Sequence, residues 1–306
     1  MGPLFFVLYL ESLIRSLEEN CPNTHIYAFA DDVKLLGQDV NELNIATKIV
    51  ETWSQNWDLI PQPKKSEHLY YSFSKPAYPN PANFYINNNL IPIVNSVKDL
   101  GITLSSNLKW TPYISKITSK ANVLSYNILR SFNSTDVSLY SNLFKTYIRP
   151  LLEYNTPIWN PHLTSDIRSI ERIQRKYTRM VCQKTNTCFN SYTQRLQIMK
   201  LDTLEMRRVR FDLIYFFKIF HKIVDIDFNK HFKSNIAMQN YSLRGHKFKL
   251  EHGKFSGSNF RNRFFCQRII PLWNTLPNYI VESSNLDNFK DNLAKFNLEK
   301  IYTSKL

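Results

Sequence analysis

Two adjacent carboxylates stand between two short apolar runs near the start of the chain. Asp31 and Asp32 follow the run His25–Phe29 and precede the run Val33–Leu36. Both runs have strand-like length and composition, and the break of about two residues between them predicts a tight β-hairpin turn. Mg²⁺ takes oxygen ligands from one or two carboxylates together with substrate phosphates, and it relieves the repulsion between neighbouring acids. The pattern therefore indicates either a Mg²⁺ site for phosphoryl transfer or an acidic surface turn.

A second group of candidate residues lies on one predicted helix in the later part of the chain. Arginines recur there at spacings of four, three and four residues, which places them on one helical face opposite an apolar one. This stripe extends along roughly 16 Å of helix and suits several phosphates, each bound by a planar guanidinium. The alternative is a solvated face partly neutralised by Glu171 and Asp166. The four residues are Arg168, Arg172, Arg175 and Arg179.

The placement of charge supports a polyanionic partner. The chain has a formal charge of +14. Residues 1–159 carry equal numbers of basic and acidic side chains, so residues 160–306 hold the whole excess. Nucleic acid is favoured over an acidic membrane surface, and a generic basic surface is the alternative. Further candidates for nucleic-acid binding are Arg207, Arg208, Arg261 and Arg263, the last two in an aromatic and basic segment, 241–268, that either stacks bases or forms a core.

The elements around these residues predict an α+β fold. Apolar periodicity indicates a helix near residues 4–17, and Asp39 with Glu42 has the pattern of a capping box before a second helix. Strands are predicted at Leu69–Phe73, near Phe84–Ile86 and at Val97–Leu104, whereas from Thr111 onward the pattern is helical. We predict three regions: residues 1–109, a helical region 110–225, and a basic, aromatic-rich region 226–306.

Several classes of protein are excluded by composition. The four cysteines are too few and too scattered for a disulfide framework, and Cys182 and Cys188 do not have zinc-finger spacing. Reduced thiols fit an intracellular setting without a disulfide partner. The apolar run Leu4–Leu10 is too short for a membrane span and lacks the basic flank of a signal peptide.

The chain resembles a known family of polymerases. Phe29-Ala30-Asp31-Asp32 is similar to the aromatic-Ala-Asp-Asp box of reverse transcriptases, and the resemblance extends to the non-LTR (LINE-type, jockey-like) retrotransposon branch. Each further match is short, but their order and spacing together are specific. The matching segments are Met1–Leu10, Lys65-Ser66, Val97–Ile102, Tyr147–Tyr154, Ile158–Pro161, Ile170–Arg175, Leu272–Pro277 and Phe289-Lys290.

The resemblance implies roles for the residues of the hairpin. Asp31 would be the catalytic metal ligand, with Asp32 in a supporting or second-metal role, and Mg²⁺ would be the cofactor. Phe29 and Ala30 would shape the floor beneath the primer terminus, where a small residue permits close approach. The three predicted regions would be a partial palm built on an antiparallel sheet, a thumb-like domain and a basic tail.

Other residues acquire roles from the same resemblance. Gly2 and Pro3 would border the template–nucleotide pocket, and Leu100-Gly101 would belong to the primer grip. There Gly101 either admits the primer backbone or relieves a strand bend. Lys65 would meet the triphosphate or protonate the leaving pyrophosphate. Lys64 is an alternative to it, and an exposed turn lysine is the plainer interpretation.

The family also implies partners and one missing group. An RNA template, a DNA primer and deoxynucleoside triphosphates would be the partners of the full-length enzyme, with a nuclear location possible. The family's first catalytic Asp precedes the motif in which this chain begins, and two-metal catalysis needs carboxylates from separate strands holding ions roughly 4 Å apart. We therefore expect little polymerisation by this chain alone. The alternatives are a non-catalytic RNA- or DNA-binding protein, or a degenerate product that does not fold stably.

Overall fold

The computed structural model describes residues 2–59, 61–62, 65–71, 82–187, 191–233, 245–252 and 261–298. They divide into two compact units, residues 1–112 and residues 113–306. The first unit combines helices with short strands, and the second is mostly helical. The predicted α+β fold class is therefore confirmed.

In its described residues, the first unit contains two helices, a hairpin and a series of short strands. The hairpin and the pairs β4–β5 and β7–β8 are antiparallel, whereas β3 and β6 pair in parallel. The helices are α1 (Gly2–Asn20) and α2 (Val40–Asn56). The strands are β1 (His25–Phe29), β2 (Asp32–Leu36), β3 (His68–Leu69), β4 (Tyr85–Ile86), β5 (Asn89–Leu90), β6 (Ile93–Val94), β7 (Ser96–Asp99) and β8 (Ile102–Ser105).

The core of the first unit fixes one face of the hairpin. Leu13 and Leu17 of α1 are buried with Ala46 of α2, and each buried leucine contributes about 1.5–3 kcal/mol. Ile26, Val33 and Leu35 of the hairpin pack against this core, as the two-residue period of a strand requires. Because side chains alternate, the opposite face of the hairpin is the one that carries Phe29 and Asp32.

Two local predictions in the first unit were wrong in detail. Asp39 does cap α2 by accepting a hydrogen bond from the Asn41 N–H, but Glu42 does not complete a capping box. Its carboxylate is buried and accepts from the backbone N–H and the side-chain amide of Asn23 instead. The predicted strand Val97–Leu104 is a hairpin, since Leu100 and Gly101 both have positive φ, as in a type I′ turn. Residues 72–81 lie outside the described part of the chain.

The second unit is a succession of helices. Pro150 accounts for a π-helical turn within it: proline has no N–H to donate, and the Arg149 N–H reaches back five residues to the Phe144 carbonyl. The elements are α3 (Thr111–Ser131), α4 (Val137–Leu143), the π-helical turn Phe144–Ile148, α5 (Arg149–Glu153), α6 (Thr156–Trp159), α7 (Thr164–Lys184), α8 (Tyr192–Met199), α9 (Leu204–Phe220), α10 (Phe228–His231), a 3₁₀ turn Arg261–Arg263, α11 (Phe265–Asn274), α12 (Asn278–Val281) and α13 (Leu286–Lys295).

An aromatic core joins helices from both sides of residue 225. Phe216 and Phe217 of α9 lie against Trp273 of α11 and Phe289 of α13, with ring centroids 4.7 Å apart for Phe216–Trp273 and 4.2 Å for Phe217–Phe289. All four side chains are fully buried. The division into a thumb-like region and a separate tail at residue 225 stays a prediction, and this core spans it.

Motif residues of the second unit serve its packing. Asn274 bonds the Leu250 backbone twice, accepting from its N–H and donating to its carbonyl, both at 2.8 Å. Trp159 is buried, donates to the Tyr154 carbonyl at 2.7 Å and lies edge-on to Tyr113. These contacts show a structural use for residues in two of the segments that matched the family.

Two findings concern cysteines and membranes. Cys21, Cys182 and Cys266 are free thiols, while Cys188 lies outside the described residues. Within the ranges that the structure describes, no helix is both long and apolar enough to cross a membrane.

Candidate functional site

The hairpin forms as the sequence predicts and presents both acidic residues at its tip. Phe29 pairs with Asp32, so Ala30 and Asp31 make a two-residue turn. Ala30 has a φ of 50°, a left-handed conformation that costs a non-glycine residue roughly 1–2 kcal/mol. Asp31 and Asp32 are both exposed, and Phe29 is 63% exposed. A strained turn that holds carboxylates and an aromatic ring in solvent motivates a functional hypothesis.

The donors at the tip fit part of a magnesium site. Among the described residues, neither the Asp31 nor the Asp32 carboxylate has a protein partner, so both are available to a hard cation. Mg²⁺ keeps several waters and accepts one or two carboxylates, a requirement that this pair meets. No group of three or more His, Cys, Asp or Glu side chains in the described ranges is arranged to hold a metal. A full two-metal site would therefore need a further carboxylate.

An ion pair joins the acidic hairpin to the predicted primer grip. Lys34 of β2 forms a salt bridge with Asp99, the last residue of β7. The turn Leu100-Gly101 follows directly, and Leu100 is 40% exposed. The structure thus brings two segments that are distant in sequence into contact through this ion pair.

The remaining nucleotide-binding candidates are not joined to the tip by any described contact. Lys65 is exposed on a short turn, where its N–H donates to the Gln62 carbonyl at 2.9 Å. Lys64 lies outside the described residues, and so does the side chain of Pro3, which follows Gly2 at the start of α1. Their roles stay predictions.

The arginine stripe of α7 faces solvent. Ile170, Ile173 and Tyr177 on the opposite face are buried. Asp166 and Glu171 are also buried, at 5% and 8% exposure. Glu171 nevertheless interacts with the stripe, because the charge of Arg175 opposes the rise that burial causes in the pKa of Glu171. The exposed arginines are Arg168, Arg172, Arg175 and Arg179. Whether they bind nucleic acid stays a prediction, but their accessibility meets its first requirement.

Glu171 belongs to a buried polar cluster under the stripe. Its carboxylate accepts from the Tyr192 hydroxyl and, at 3.0 Å, from the Leu204 N–H at the start of α9. Burial raises the pKa of Glu171, and the hydrogen bond from Tyr192 opposes that increase. Burial also raises the pKa of Tyr192, and the neighbouring Glu171 adds to it. Neither a motif nor the helical periodicity indicates that this acid points inward.

One predicted nucleic-acid contact is corrected by the structure, and others acquire protein partners. Arg208 is 1% exposed and donates to Asn160 at 3.3 Å, so it cannot reach a phosphate in this fold. Arg207 is engaged by the Glu153 carboxylate through two donors. Arg263 donates to the His162 ring at 2.6 Å. The side chain of Arg261 lies outside the described residues. Nucleic-acid contacts by Arg207, Arg261 and Arg263 stay predictions.

Sequence reasoning missed a buried ion pair near Arg208. Asp212 of α9 is 1% exposed, and Arg268 of α11 donates to both of its oxygens at 2.9 Å. Asn160 donates to the same carboxylate at 2.8 Å. Asp212 and Arg268 belong to separate helices, and no motif or periodicity in the sequence connects them. We assign the pair a structural role, since the Asp212 side chain is 1% exposed and the Arg268 side chain only 17%.

The aromatic and basic segment 241–268 contributes to the core where it is described. Phe248 and Phe265 pack against the aromatic core of α9 and α11. Lys247 lies 5.0 Å from the centroid of the Phe248 ring and 3.5 Å from a Glu282 oxygen. For these residues the packing interpretation holds. Residues 253–260 and 241–244 lie outside the described part of the chain.

Comparison with known proteins relates the first part of the chain to reverse transcriptases. Residues 1–104 match the reverse transcriptase (RNA-dependent DNA polymerase) family. A probable RNA-directed DNA polymerase from transposon X-element of Drosophila melanogaster is 24% identical over 190 residues, covering 59% of this chain and 21% of that protein. An uncharacterized protein of Caenorhabditis elegans is 29% identical over 165 residues, covering 54% of this chain and 80% of that protein. No solved structure matches significantly. The first part of the chain is therefore reverse-transcriptase-like, and the chain spans about a fifth of the transposon polymerase it resembles.

Proposed function

We propose that residues 1–112 are the second part of the palm of an RNA-directed DNA polymerase from a non-LTR retrotransposon. The observation that carries this proposal is the exposed pair Asp31 and Asp32 at a strained hairpin tip, inside the segment that matches the reverse transcriptase family. The substrates of the complete enzyme would be an RNA template, a DNA primer and deoxynucleoside triphosphates. Such an origin would place its action in the nucleus.

Each residue of the hairpin has a task in this proposal. Asp31 and Asp32 supply carboxylate oxygens for Mg²⁺, which when bound would neutralise triphosphate charge and activate the primer hydroxyl. Phe29 shares a strand face with Asp32 and offers an exposed ring beside the primer terminus. The Lys34–Asp99 pair positions the turn Leu100-Gly101 as a support for the primer backbone.

In this proposal, the residues of the hairpin tip alone do not complete a catalytic two-metal site. In the ranges described, the tip supplies two carboxylates and no third acidic group joins them. Two ions roughly 4 Å apart need ligands from more than one strand. The described residues therefore account for metal binding better than for turnover, and full activity would need another carboxylate.

Primer extension tests this limit. We expect the purified chain, given an oligo(dT) primer on poly(rA), dTTP and Mg²⁺, to extend the primer no more than the double variant Asp31→Asn, Asp32→Asn does. The physical reason is the incomplete ligand set. Robust Mg²⁺-dependent incorporation by the chain, lost in the double variant, would refute the limit and establish an autonomous polymerase.

Metal binding tests the site at the hairpin tip separately from primer extension. Titration with Mn²⁺, followed by water-proton relaxation, should detect a weak site in the wild-type chain. The Asp31→Asn, Asp32→Asn variant should bind Mn²⁺ with an affinity that is lower by about tenfold or more, because each charge contributes on the order of 1 kcal/mol even in water. Asp58→Asn is the matched control, since it removes an exposed aspartate elsewhere in the first unit. Equal Mn²⁺ affinity in all three proteins would contradict the assignment of the tip.

A second function is favoured by the arginine stripe. We propose that the second unit binds the sugar-phosphate backbone of nucleic acid along α7. The four exposed guanidiniums follow one helical face, and this unit contains residues 160–306, which carry the whole net positive charge. The function would hold whether or not the first unit catalyses, so it also describes a non-catalytic nucleic-acid-binding protein.

The salt dependence of binding tests the stripe. Replacing Arg168, Arg172, Arg175 and Arg179 with Gln should reduce the slope of log K against log salt by about 3 to 4 on duplex DNA, since each phosphate contact contributes roughly 0.9. A variant with four lysines changed to Gln removes the same charge elsewhere in the unit. An equal loss in both variants would show that overall charge, and not the stripe, drives binding. The control positions are Lys218, Lys222, Lys230 and Lys233.

A further inference from the structure

The exposed face of α3 carries an aromatic ring among basic side chains. Tyr126 is 57% exposed, and Lys116, Lys120 and Arg130 are exposed on the same helix. At 100° per residue, these four side chains project within about 120° of the helix circumference. The sequence of α3 contains neither aspartate nor glutamate, so no acid of this helix offsets the three charges.

The helices α3 and α7 lie side by side and run in the same direction. The Lys176 Nζ donates to the side-chain oxygen of Asn122 at 3.0 Å, and the Lys184 Nζ donates to the Leu129 carbonyl at 2.8 Å. The second contact is further along both helices than the first, as parallel helices require. Tyr126 lies between Asn122 and Leu129, on the stretch of α3 that borders α7.

A small cleft between the two helices has Tyr126 in its lining. Ile173, Lys176 and Met180 of α7 line it from the other side. Its volume is about 20 Å³, which is room for about one water molecule and not for a nucleobase. A base could therefore contact Tyr126 only at the exposed part of its ring, outside the cleft.

Lys176 connects this cleft with the arginine stripe of α7. At 100° per residue, its side chain projects about 40° from that of Arg172 and about 60° from that of Arg179. All three side chains are exposed. The two acidic residues of α7, Asp166 and Glu171, are buried. The exposed surface of α7 next to Tyr126 is therefore basic.

An exposed aromatic ring beside a row of cations suits one class of nucleic acid. Proteins that bind single strands combine a positively charged path for the backbone with aromatic side chains on which bases stack. The bases of a duplex are already paired and stacked on one another, so they leave no free face for a ring on the protein surface. The cations of α7 alone would serve either form, whereas Tyr126 offers a contact that only an unpaired base can use.

We propose that Tyr126 stacks on an unpaired base of a single strand whose phosphates bind Lys176 and the arginine stripe of α7. The proposal rests on nucleic-acid binding by the second unit and names the substrate class, single-stranded nucleic acid. The contact tolerates any sequence, because every base has a π-face.

Fluorescence anisotropy on the full chain tests the stacking contact with two labelled probes, a 20-nucleotide oligo(dT) and a 20-base-pair DNA duplex. Tyr126→Ala should lower the affinity for oligo(dT) about 5- to 150-fold, the range for losing one base–aromatic stack. Its affinity for the duplex should change less than about 2-fold. The slope of log K against log salt should stay the same on both probes, because the substitution removes no charge.

Two further tyrosine variants separate stacking from other effects of the substitution. Tyr126→Phe keeps the ring and should bind oligo(dT) within about 2-fold of wild type, since stacking does not need the hydroxyl. Tyr279→Ala is the matched control, because Tyr279 is also 57% exposed and belongs to α12 of the same unit. It should bind both probes as the wild type does. A Tyr126→Phe protein as weak as Tyr126→Ala would overturn the stacking contact.

The charge of Lys176 has its own test. Lys176→Gln should lower the slope of log K against log salt on oligo(dT) by roughly 0.7, the value of one phosphate contact in a single strand. Lys230→Gln, which removes an exposed lysine of α10, should leave the slope unchanged. Equal slopes for Lys176→Gln and wild type would remove Lys176 from the binding surface.

The outcomes distinguish this proposal from the function on which it rests. If the wild-type chain binds neither probe, or the four-arginine α7 variant keeps the wild-type slope, the proposed function of the second unit fails. If that variant loses slope but Tyr126→Ala binds oligo(dT) undiminished, α7 binds the backbone and the stacking contact is wrong, which leaves the exposed ring as a contact for another protein. An equal loss on both probes would also overturn the preference for single strands. Circular dichroism melts identify any loss of affinity that comes from unfolding.

Discussion

Replacing Arg268 with alanine should lower the free energy of unfolding of the second unit by about 3–5 kcal/mol, the range for breaking a buried ion pair by removing one partner. Arg268 donates to both oxygens of Asp212, and it also donates to the carbonyls of Pro157 and Arg263 at 2.6 and 3.1 Å. Its loss leaves a carboxylate that is 1% exposed with fewer compensating donors. The contacts of one side chain hold α6, α9 and α11 together.

The loss of stability in Arg268→Ala should depend on pH. Burial raises the pKa of Asp212 in the folded chain, and Arg268 opposes that increase. Removing Arg268 therefore raises the pKa of Asp212 further above its ordinary value of 3.8. A carboxyl whose pKa is higher in the folded state binds more protons there, so its contribution to stability is lost as pH rises. The difference from wild type should be largest near neutral pH and shrink as pH falls toward 4.

Urea unfolding combined with hydrogen exchange of the α9 amides measures the effect, because exchange reports on the second unit even if the two units unfold separately. Arg210→Ala is the matched control on α9. Its ion pair with Asp202 is partly exposed, at 23% and 47%, so the loss should be below about 1 kcal/mol. Similar losses in both variants would mean that burial does not control the strength of the Arg268 pair.

The parts of the fold that follow local rules could be predicted from the sequence. The hairpin at residues 25–36 appears where two strand-like runs flank a two-residue break, and α7 buries the face that its periodicity indicates. The turn at Leu100-Gly101 could not be found in the same way. Leucine seldom adopts positive φ, so the pair lacks the Asn-Gly or Asp-Gly signal of such a turn, and the segment has the pattern of a single strand.

In the candidate site, too, local features could be predicted from the sequence and long-range contacts could not. Asp31 and Asp32 lie at the tip where the sequence predicts them, because a hairpin tip is a local feature. Which charged residues are buried depends instead on contacts between distant segments. Arg208 and Glu171 are charged residues on amphipathic helices, and the structure turns both inward toward partners in other segments. The ion pair of Asp212 and Arg268 spans 56 positions, so no window of sequence contains both.

Replacing Trp273 with alanine should destabilise the second unit by about 3–5 kcal/mol, as expected for removing a large buried aromatic side chain. Trp273 is fully buried, and its ring lies 4.7 Å from that of Phe216 and 6.3 Å from that of Phe289, measured between centroids. Its Nε1 donates to the Phe248 carbonyl at 2.8 Å, so the variant also leaves that acceptor without this donor. Urea unfolding followed by circular dichroism measures the loss.

Trp57→Ala and Trp273→Phe complete the experiment. Trp57 is 45% exposed, so the same change there should lose about 1 kcal/mol or less. Trp273→Phe keeps most of the ring volume, so its loss of stability should lie between those of Trp57→Ala and Trp273→Ala. Hydrogen exchange shows which amides lose protection in Trp273→Ala. Because Trp273 joins α11 to α9, the amides of both helices should exchange faster. If only α11 and α13 lost protection, the region after residue 225 would unfold independently of α9, contrary to the shared core.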